Sequence, residues 1–120
     1  MRDSNCIFCK IVAGEIPASV VYEDGHMLVF KDIEPKAKVH LLAIPKVHFG
    51  DLSEMDDKKA EVLKHIFMKI PDIARENGCE NGYRLIINQG EDGGQAVFHL
   101  HIHILGGEKL PVDILKRAKK

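Results

Sequence analysis

No stretch of this chain is long and apolar enough to cross a bilayer: its longest apolar runs, such as LLAI at 41 to 44, fall far short of the ~20 residues that a spanning helix needs. The opening MRDSNC lacks the basic start and apolar stretch of a secretory signal, so the expectation is a cytoplasmic protein with no membrane partner. Charge of one sign is missing too. Seventeen Lys and Arg against eighteen Asp and Glu leave a formal net charge of -1, which gives no footprint for a nucleic acid polymer but leaves room for a nucleotide-sized ligand. Cysteine is sparse and odd in number, Cys6, Cys9 and Cys79, so a disulfide framework is not expected. No internal repeat or low-complexity segment divides the 120 residues, and 45% hydrophobic content suits a single domain over 1–120 with one core.

What is present reads as alternating short elements. CIFCKIVAG (6 to 14) sets Ile7, Phe8 and Ile11 at helical spacing and stops at Gly14, as a short helix would. SVVYEDGHMLVFKD predicts strands near 19 to 23 and 26 to 31 around Asp24-Gly25, a dipeptide that tolerates the positive φ of a tight hairpin turn. VHLLAIP (39 to 45) predicts a third strand, buried on both faces and closed by Pro45. Ser53 followed by Asp56 resembles a helix N-cap, and Val62, Leu63, Ile66, Phe67, Ile70, Ile73 and Ala74 form one apolar stripe, so a long helix is expected over about 54 to 77, ending at Asn77-Gly78. Pro71 inside it predicts a kink or a break. YRLIIN (83 to 88) and VFHLHIHIL (97 to 105) read as strands four and five across the glycine-rich QGEDGGQ, and the terminal KRAKK as a solvated tail. Helix, three strands, helix, two strands favours an α+β fold: a five-stranded, mainly antiparallel sheet with a short N-terminal helix and one long helix, the histidine run forming a central strand.

That run carries the chemistry. Successive side chains of a strand face opposite ways, so His99, His101 and His103 share one face while Leu100, Ile102 and Ile104 pack on the other. Three readings fit: a solvated polar face, a three-imidazole metal site with an open position for hydroxide, or a histidine nucleophile whose neighbours position a phosphate. The preceding GEDGGQAV favours the third, because its three glycines let successive backbone N–H groups converge on an anion. Cys6-Ile-Phe-Cys9 is a CxxC pair outside any thioredoxin-like order, so with two more ligands it would suit structural zinc; Cys79 reads as a free thiol.

HLHIHIL at 99 to 105 fits His-φ-His-φ-His-φ-φ without exception, φ being hydrophobic, and here the chain resembles the histidine triad (HIT) superfamily. The likeness runs through CIFCKIVAGEIPA, VYEDGHMLVFKDIEPKAKVHLLAIPKVH and YRLIINQGEDGGQAVFHLHIHILGG, closest to the branch that hydrolyses purine nucleoside phosphoramidates. That resemblance implies cleavage of nucleoside 5′-phosphoramidates or related nucleoside monophosphate conjugates through a nucleotidyl-histidine. His101 would be the nucleophile and His103 the donor to a phosphate oxygen, with Asn88, Gly94, Gln95 and Val97 completing the pocket and His40 as a partner behind the histidines. Asp32 would hold the ribose hydroxyls, and Ile7, Phe8, Ile11, Phe30 and Ile33 would wall a purine base.

The resemblance further implies one structural zinc per chain on Cys6, Cys9, His48 and His99, with His26, His40 and His65 as weaker alternative ligands. No catalytic metal or organic cofactor is expected, and a homodimer is. Two departures stand out: Ala96 occupies a position where relatives often carry Ser or Thr near the leaving group, and GEKLPVDILKRAKK lacks their Trp-Pro-Pro-type ending. The alternatives are a dinucleoside polyphosphate hydrolase, a nucleotide sensor or partner-binding protein with incidental turnover, and a hydrolase built on histidine-bound metal.

Overall fold

A computed structural model of the chain describes residues 3–112; the KRAKK segment lies outside them. Helix α1 (Ile7–Val12) is followed by strands β1 (Val20–Glu23), β2 (Met27–Lys31) and β3 (Val39–Pro45), helix α2 (Asp57–Glu76), and strands β4 (Tyr83–Ile86) and β5 (Ile102–Gly106). The strands form one sheet in the order β1-β2-β3-β5-β4, every neighbouring pair antiparallel. The α+β expectation of a five-stranded antiparallel sheet with a short and a long helix therefore holds. The histidine run supplies an interior strand, although β3 is the middle one.

Register sorts the side chains into two layers. Leu42 stands opposite both Phe30 and His103, and Ala43 opposite both Val29 and Ile102, so neighbouring residues of β3 serve opposite faces. On one face Met27, Val29, Leu41, Ala43, Ile102 and Ile104 pack under Ile66, Ile70, Ile73 and Ala74 of α2. On the other, Leu28, Phe30, Leu42 and Ile44 pack under Cys6, Phe8 and Cys9 of the α1 segment. The sheet is thus buried on both sides, which explains the near-continuous apolar run of β3.

Several boundaries depart from the sequence expectations. The hairpin turn uses no positive φ at Asp24 or Gly25. Instead the Asp24 carboxylate accepts the His26 and Met27 N–H groups at 2.8 and 3.0 Å, a side-chain substitute for turn geometry. Helix α2 starts later than expected, capped by Asp56 accepting from Lys59 N–H at 2.9 Å, while Leu52–Glu54 form a separate 3-10 turn capped by Asp51. It continues through Pro71 as one element. Proline deprives the Phe67 carbonyl of its donor, and since Phe67 and Pro71 are both exposed, water can take that place. The helix ends at Glu76 with Asn77 as its C-cap, and Gly78 takes φ +96 as a glycine beyond a C-cap does.

Strand β5 begins at Ile102, not at residue 97, and β4 ends at Ile86, not at residue 88. Pro45 terminates β3 with no N–H to offer, so the ladder stops at Ala43 opposite Ile102, and Leu100 N–H bonds instead to Phe49 O at 2.8 Å. His99 and His101 therefore precede the strand proper. Among the described residues no helix is long and apolar enough to cross a membrane.

The buried stripe of α2 should dominate stability. Ile66→Ala, at a site with 0% exposure, is expected to cost about 2–5 kcal/mol in urea unfolding, whereas Lys69→Ala on the exposed face should stay within about 0.5 kcal/mol.

Candidate functional site

The three histidines of the run meet different surroundings, and each is tied at one ring nitrogen. His99 Nε2 lies 2.8 Å from Pro45 O; a carbonyl only accepts, so the proton is on Nε2 and the Nδ1 lone pair is left over. His101 Nδ1 lies 2.8 Å from His99 O, so Nδ1–H donates there and Nε2 keeps its lone pair. His40 Nδ1 accepts the Lys36 N–H at 3.0 Å, which puts the His40 proton on Nε2, 2.9 Å from His103 Nδ1. His103 Nδ1 is then the acceptor, and its own proton is on Nε2.

Burial favours the neutral forms of His99, His103 and His40. His99 is fully buried, and desolvation, ahead of repulsion from His48 and His101, pushes its pKa down to about 4 despite the bond to Pro45 O. His103 is pushed down to about 4 by desolvation first, then by His101 and His40, with Asp32 opposing. Burial also lowers His40, against the pull of Asp32. The Phe8 ring meets the His99 and His101 rings edge-on at 5.9 and 5.2 Å, so α1 supplies the apolar wall that keeps water from them.

The second feature is a four-sided cluster at the start of the run. His99 Nδ1 lies 3.4 Å from Cys6 Sγ, 3.6 Å from Cys9 Sγ and 3.2 Å from His48 Nδ1, and Cys9 Sγ lies 3.4 Å from His48 Nδ1. A tetrahedral zinc with ordinary Zn–S and Zn–N bonds has N···N edges of about 3.3 Å and S···N edges of about 3.5 Å. The four donors fit that tetrahedron. Surrounding groups favour the ligand forms: Cys6 Sγ accepts the Cys9 N–H and Cys9 Sγ the Asp3 N–H, while His48 Nε2 faces Asp3 Oδ2 at 3.9 Å.

The remaining expected residues divide. Asp32 comes close to the triad, Oδ2 3.5 Å from His40 Nε2, with its side chain 19% exposed. Phe8 and Phe30 meet edge-to-face at 5.7 Å within the core under α1, and Ile11 packs beside them. Ile7 is half exposed, and Ile33 is 95% exposed and outside that group. Asn88 is half-buried just past β4.

In the glycine-rich loop, Gly94 N–H and Gln95 N–H bond to Glu91 O and Gly90 O. The Gln95 amide is fully engaged with backbone, donating to Gly50 O and Val97 O and accepting from Gly90 N–H. Gln95 is thus a pin between this loop and the segment after β3. The alternative ligands His26 and His65 lie elsewhere: their rings meet at 5.0 Å, with His65 on Asp24. Sequence reasoning missed Lys36 N–H, Pro45 O and Asp3. The first two are backbone groups with no side-chain signal, and Asp3 sits in a segment without periodicity.

A family model described as "Scavenger mRNA decapping enzyme C-term binding" matches residues 5–118. Protein HitA of Neisseria gonorrhoeae is 55% identical over 102 residues, covering 85% of this chain and 95% of that protein. The 14 kDa zinc-binding protein of Zea mays is 44% identical, covering 92% and 88%. The crystal structure of a HIT family hydrolase from Legionella pneumophila superposes with a TM-score of 0.85 at 46% identity, covering 90% of this chain and 97% of that one. The chain belongs to the histidine triad family. HIT membership agrees with the two-layered sheet and with the separate environments of its three histidines.

Neutral burial of His103 has a measurable consequence. A pKa held down near 4 in the folded chain against 6.5 for an ordinary imidazole means that the unfolded chain binds the extra proton between those values. Its contribution to stability is full above about pH 6.5 and is lost as pH falls through about 4. Urea unfolding of His103→Asn across that window should show a shallower loss than the unsubstituted protein; parallel curves would contradict the assignment.

Proposed function

We propose that the protein is a nucleotide hydrolase that cleaves nucleoside 5′-phosphoramidates, or related nucleoside monophosphate conjugates, by way of a nucleotidyl-His101. The observation that carries this reading is the pair of opposite tautomers on adjacent histidines: His101 tied at Nδ1 with a lone pair at Nε2, and His103 tied at Nδ1 with a proton at Nε2. One offers a nucleophile and the other a donor. His101 Nε2 attacks the α-phosphorus, the P–N bond to the amine breaks, and the amine leaves with the bonding electron pair, taking a proton from solvent. His103 Nε2–H donates to a phosphate oxygen as charge builds there. Water then attacks phosphorus and gives up a proton to solvent, the P–Nε2 bond breaks, and the nucleoside monophosphate departs as His101 recovers its electron pair.

Other residues fill supporting roles. Asp32 accepts the ribose hydroxyls, and Asn88 with Val97 faces the phosphate; the Gly94 and Gln95 N–H groups are spent on Glu91 O and Gly90 O, so those two residues shape the loop and are not phosphate donors. Phe8, Phe30, Ile7 and Ile11 offer the apolar surface for a purine; Ile33 joins them only as a flap over the ligand. Ala96 supplies no hydroxyl to the leaving group, so conjugates whose amine departs readily are the favoured substrates.

Cys6, Cys9, His48 and His99 would hold one structural zinc per chain. Two thiolates and two imidazoles close the coordination shell, so the metal supplies a cross-link between α1 and the histidine run and takes no part in the reaction. A homodimer would form through β4, a sheet edge whose exposed Tyr83 and Leu85 are joined by exposed Phe67 and Met68 of α2.

Two measurements check these readings. Adenosine 5′-phosphoramidate under single-turnover conditions, quenched in alkali to preserve phosphohistidine, should yield a nucleotide adduct in the unsubstituted protein and none in His101→Ala, whose turnover should fall at least ~10³-fold. An adduct surviving that substitution would falsify the nucleophile assignment. Protein purified without added zinc should carry about one metal ion per chain, falling to near zero in Cys6→Ser/Cys9→Ser together with a lowered Tm. Equal metal contents in the two proteins would refute the ligand set.

A further inference from the structure

Outside the triad and the cysteine cluster, two further imidazoles keep ring nitrogens free of hydrogen bonds, and they stand where the β1–β2 turn meets α2. Asp24 anchors them. Its Oδ1 accepts the His26 and Met27 N–H groups at 2.8 and 3.0 Å, and its Oδ2 accepts the Tyr22 hydroxyl at 2.8 Å and lies 2.6 Å from His65 Nε2. A carboxylate so engaged only accepts, so in the neutral His65 ring the proton is on Nε2 and Nδ1 keeps its lone pair. His26 is exposed, and among the described residues no hydrogen bond engages either of its ring nitrogens.

The spacing of the two rings is that of a ligand pair. Their centroids lie 5.0 Å apart at an interplanar angle of 66°. His48 and His99 of the cysteine cluster hold nearly the same relation, 5.0 Å and 77°, with their Nδ1 atoms 3.2 Å apart. Two imidazoles that share one metal at ordinary Zn–N bond lengths and a tetrahedral angle have centroids about 5 Å apart. Asp24 supplies what a metal-bound imidazole ordinarily has behind it, a carboxylate on the other ring nitrogen that fixes the tautomer and raises basicity. Both rings border a surface cavity of about 460 Å³, and so does Glu61, one helical turn before His65. Glu61 and Asp57 bring two carboxylates to that cavity against the single ammonium of Lys58, a balance that favours a cation.

We infer that His65 Nδ1, a ring nitrogen of His26 and the Glu61 carboxylate form a second metal site, one that takes a divalent cation of the zinc and nickel class. Imidazole with carboxylate suits such ions, whereas calcium and magnesium take oxygen ligands. The exposed side chains of His26 and Glu61 turn to meet the ion, His65 is held in place by Asp24, and water completes the shell. The ion ties the β1–β2 turn to α2, on the side of the sheet opposite the α1 wall that touches His101. This site is independent of the nucleotidyl-transfer reading and of the ion assigned to the cysteines.

The full chain, first given one equivalent of Zn²⁺ to fill the cysteine cluster, is titrated with more Zn²⁺ by calorimetry. One further ion per chain should bind, with an affinity at least ~10-fold weaker in His26→Asn and in His65→Asn. His26 is exposed, so the first of these variants keeps its fold. Amide ¹H–¹⁵N NMR of the unsubstituted chain should place the shifts caused by the second equivalent at residues 24–27 and 61–65, leaving Cys6, Cys9, His48 and His99 unmoved. Mg²⁺ at the same concentration should cause no such shifts. Absence of a second binding event, an unchanged affinity in His26→Asn, shifts centred elsewhere, or equal shifts with Mg²⁺ would each overturn the inference. Should the cysteines take no zinc, the first equivalent would itself give the 24–27 and 61–65 pattern, which supports this site while refuting the other.

Discussion

The register between β3 and β5 is the constraint on which the rest of the molecule depends. With Leu42 opposite His103 and His40 opposite Leu105, His40 and His103 become diagonal neighbours on one face, close enough to share a proton at 2.9 Å. The same register turns Ile102 and Ile104 toward α2, where they complete a core with Ile66 and Ile70. A slip of one residue would exchange the two faces, burying imidazoles under α2 and presenting isoleucines to a ligand. The hydrophobic core therefore enforces the His40–His103 geometry, because no sliding of β5 can disturb one without the other.

Within that frame, identical side chains acquire different chemistry from what binds their second nitrogen. Pro45 O, His99 O and the Lys36–His40 pair each engage one ring nitrogen, and each leaves a different atom for use: a lone pair toward the cysteines, a lone pair at His101 Nε2, and a proton at His103 Nε2. Two of the three anchors are backbone groups, which no side-chain substitution can remove directly. Burial reinforces the division, since neutral rings alone can act as ligand and as acceptor.

The fold was legible because its signals were regular: the near-continuous apolar run of β3, alternation in β5, the apolar stripe of α2, glycine beyond its end. The histidine alternation also placed the rings on one face, and it overextended the strand. Period-two patterning says which way side chains point; it does not say where the neighbour stops pairing, and Pro45 ends the ladder from the far side of β3. The turn at Asp24 failed similarly, since the dipeptide signals a turn but not whether carboxylate or φ supplies it. Convergence of Cys6, Cys9, His48 and His99 came from family resemblance and could not come from spacing, because the cysteines and histidines stand up to 93 residues apart. Lys36 N–H was invisible for a different reason: any residue except proline would have provided it.

α1 is the element that most needs outside help. Six residues cannot sustain a helix on their own in water, and only Phe8 and Cys9 of them are buried. Yet Phe8 is the wall against both His99 and His101, so the dry environment of the site hangs on a segment with little intrinsic stability. Cys6 and Cys9 meet His48 and His99 at the N-terminal end of this segment, and His99 is the residue whose carbonyl also orients His101. His99 is thereby a joint between two groups: its side chain faces the sulfurs, and its main chain fixes the tautomer of His101. The cysteine cluster and the triad thus meet at one residue, through different atoms of it.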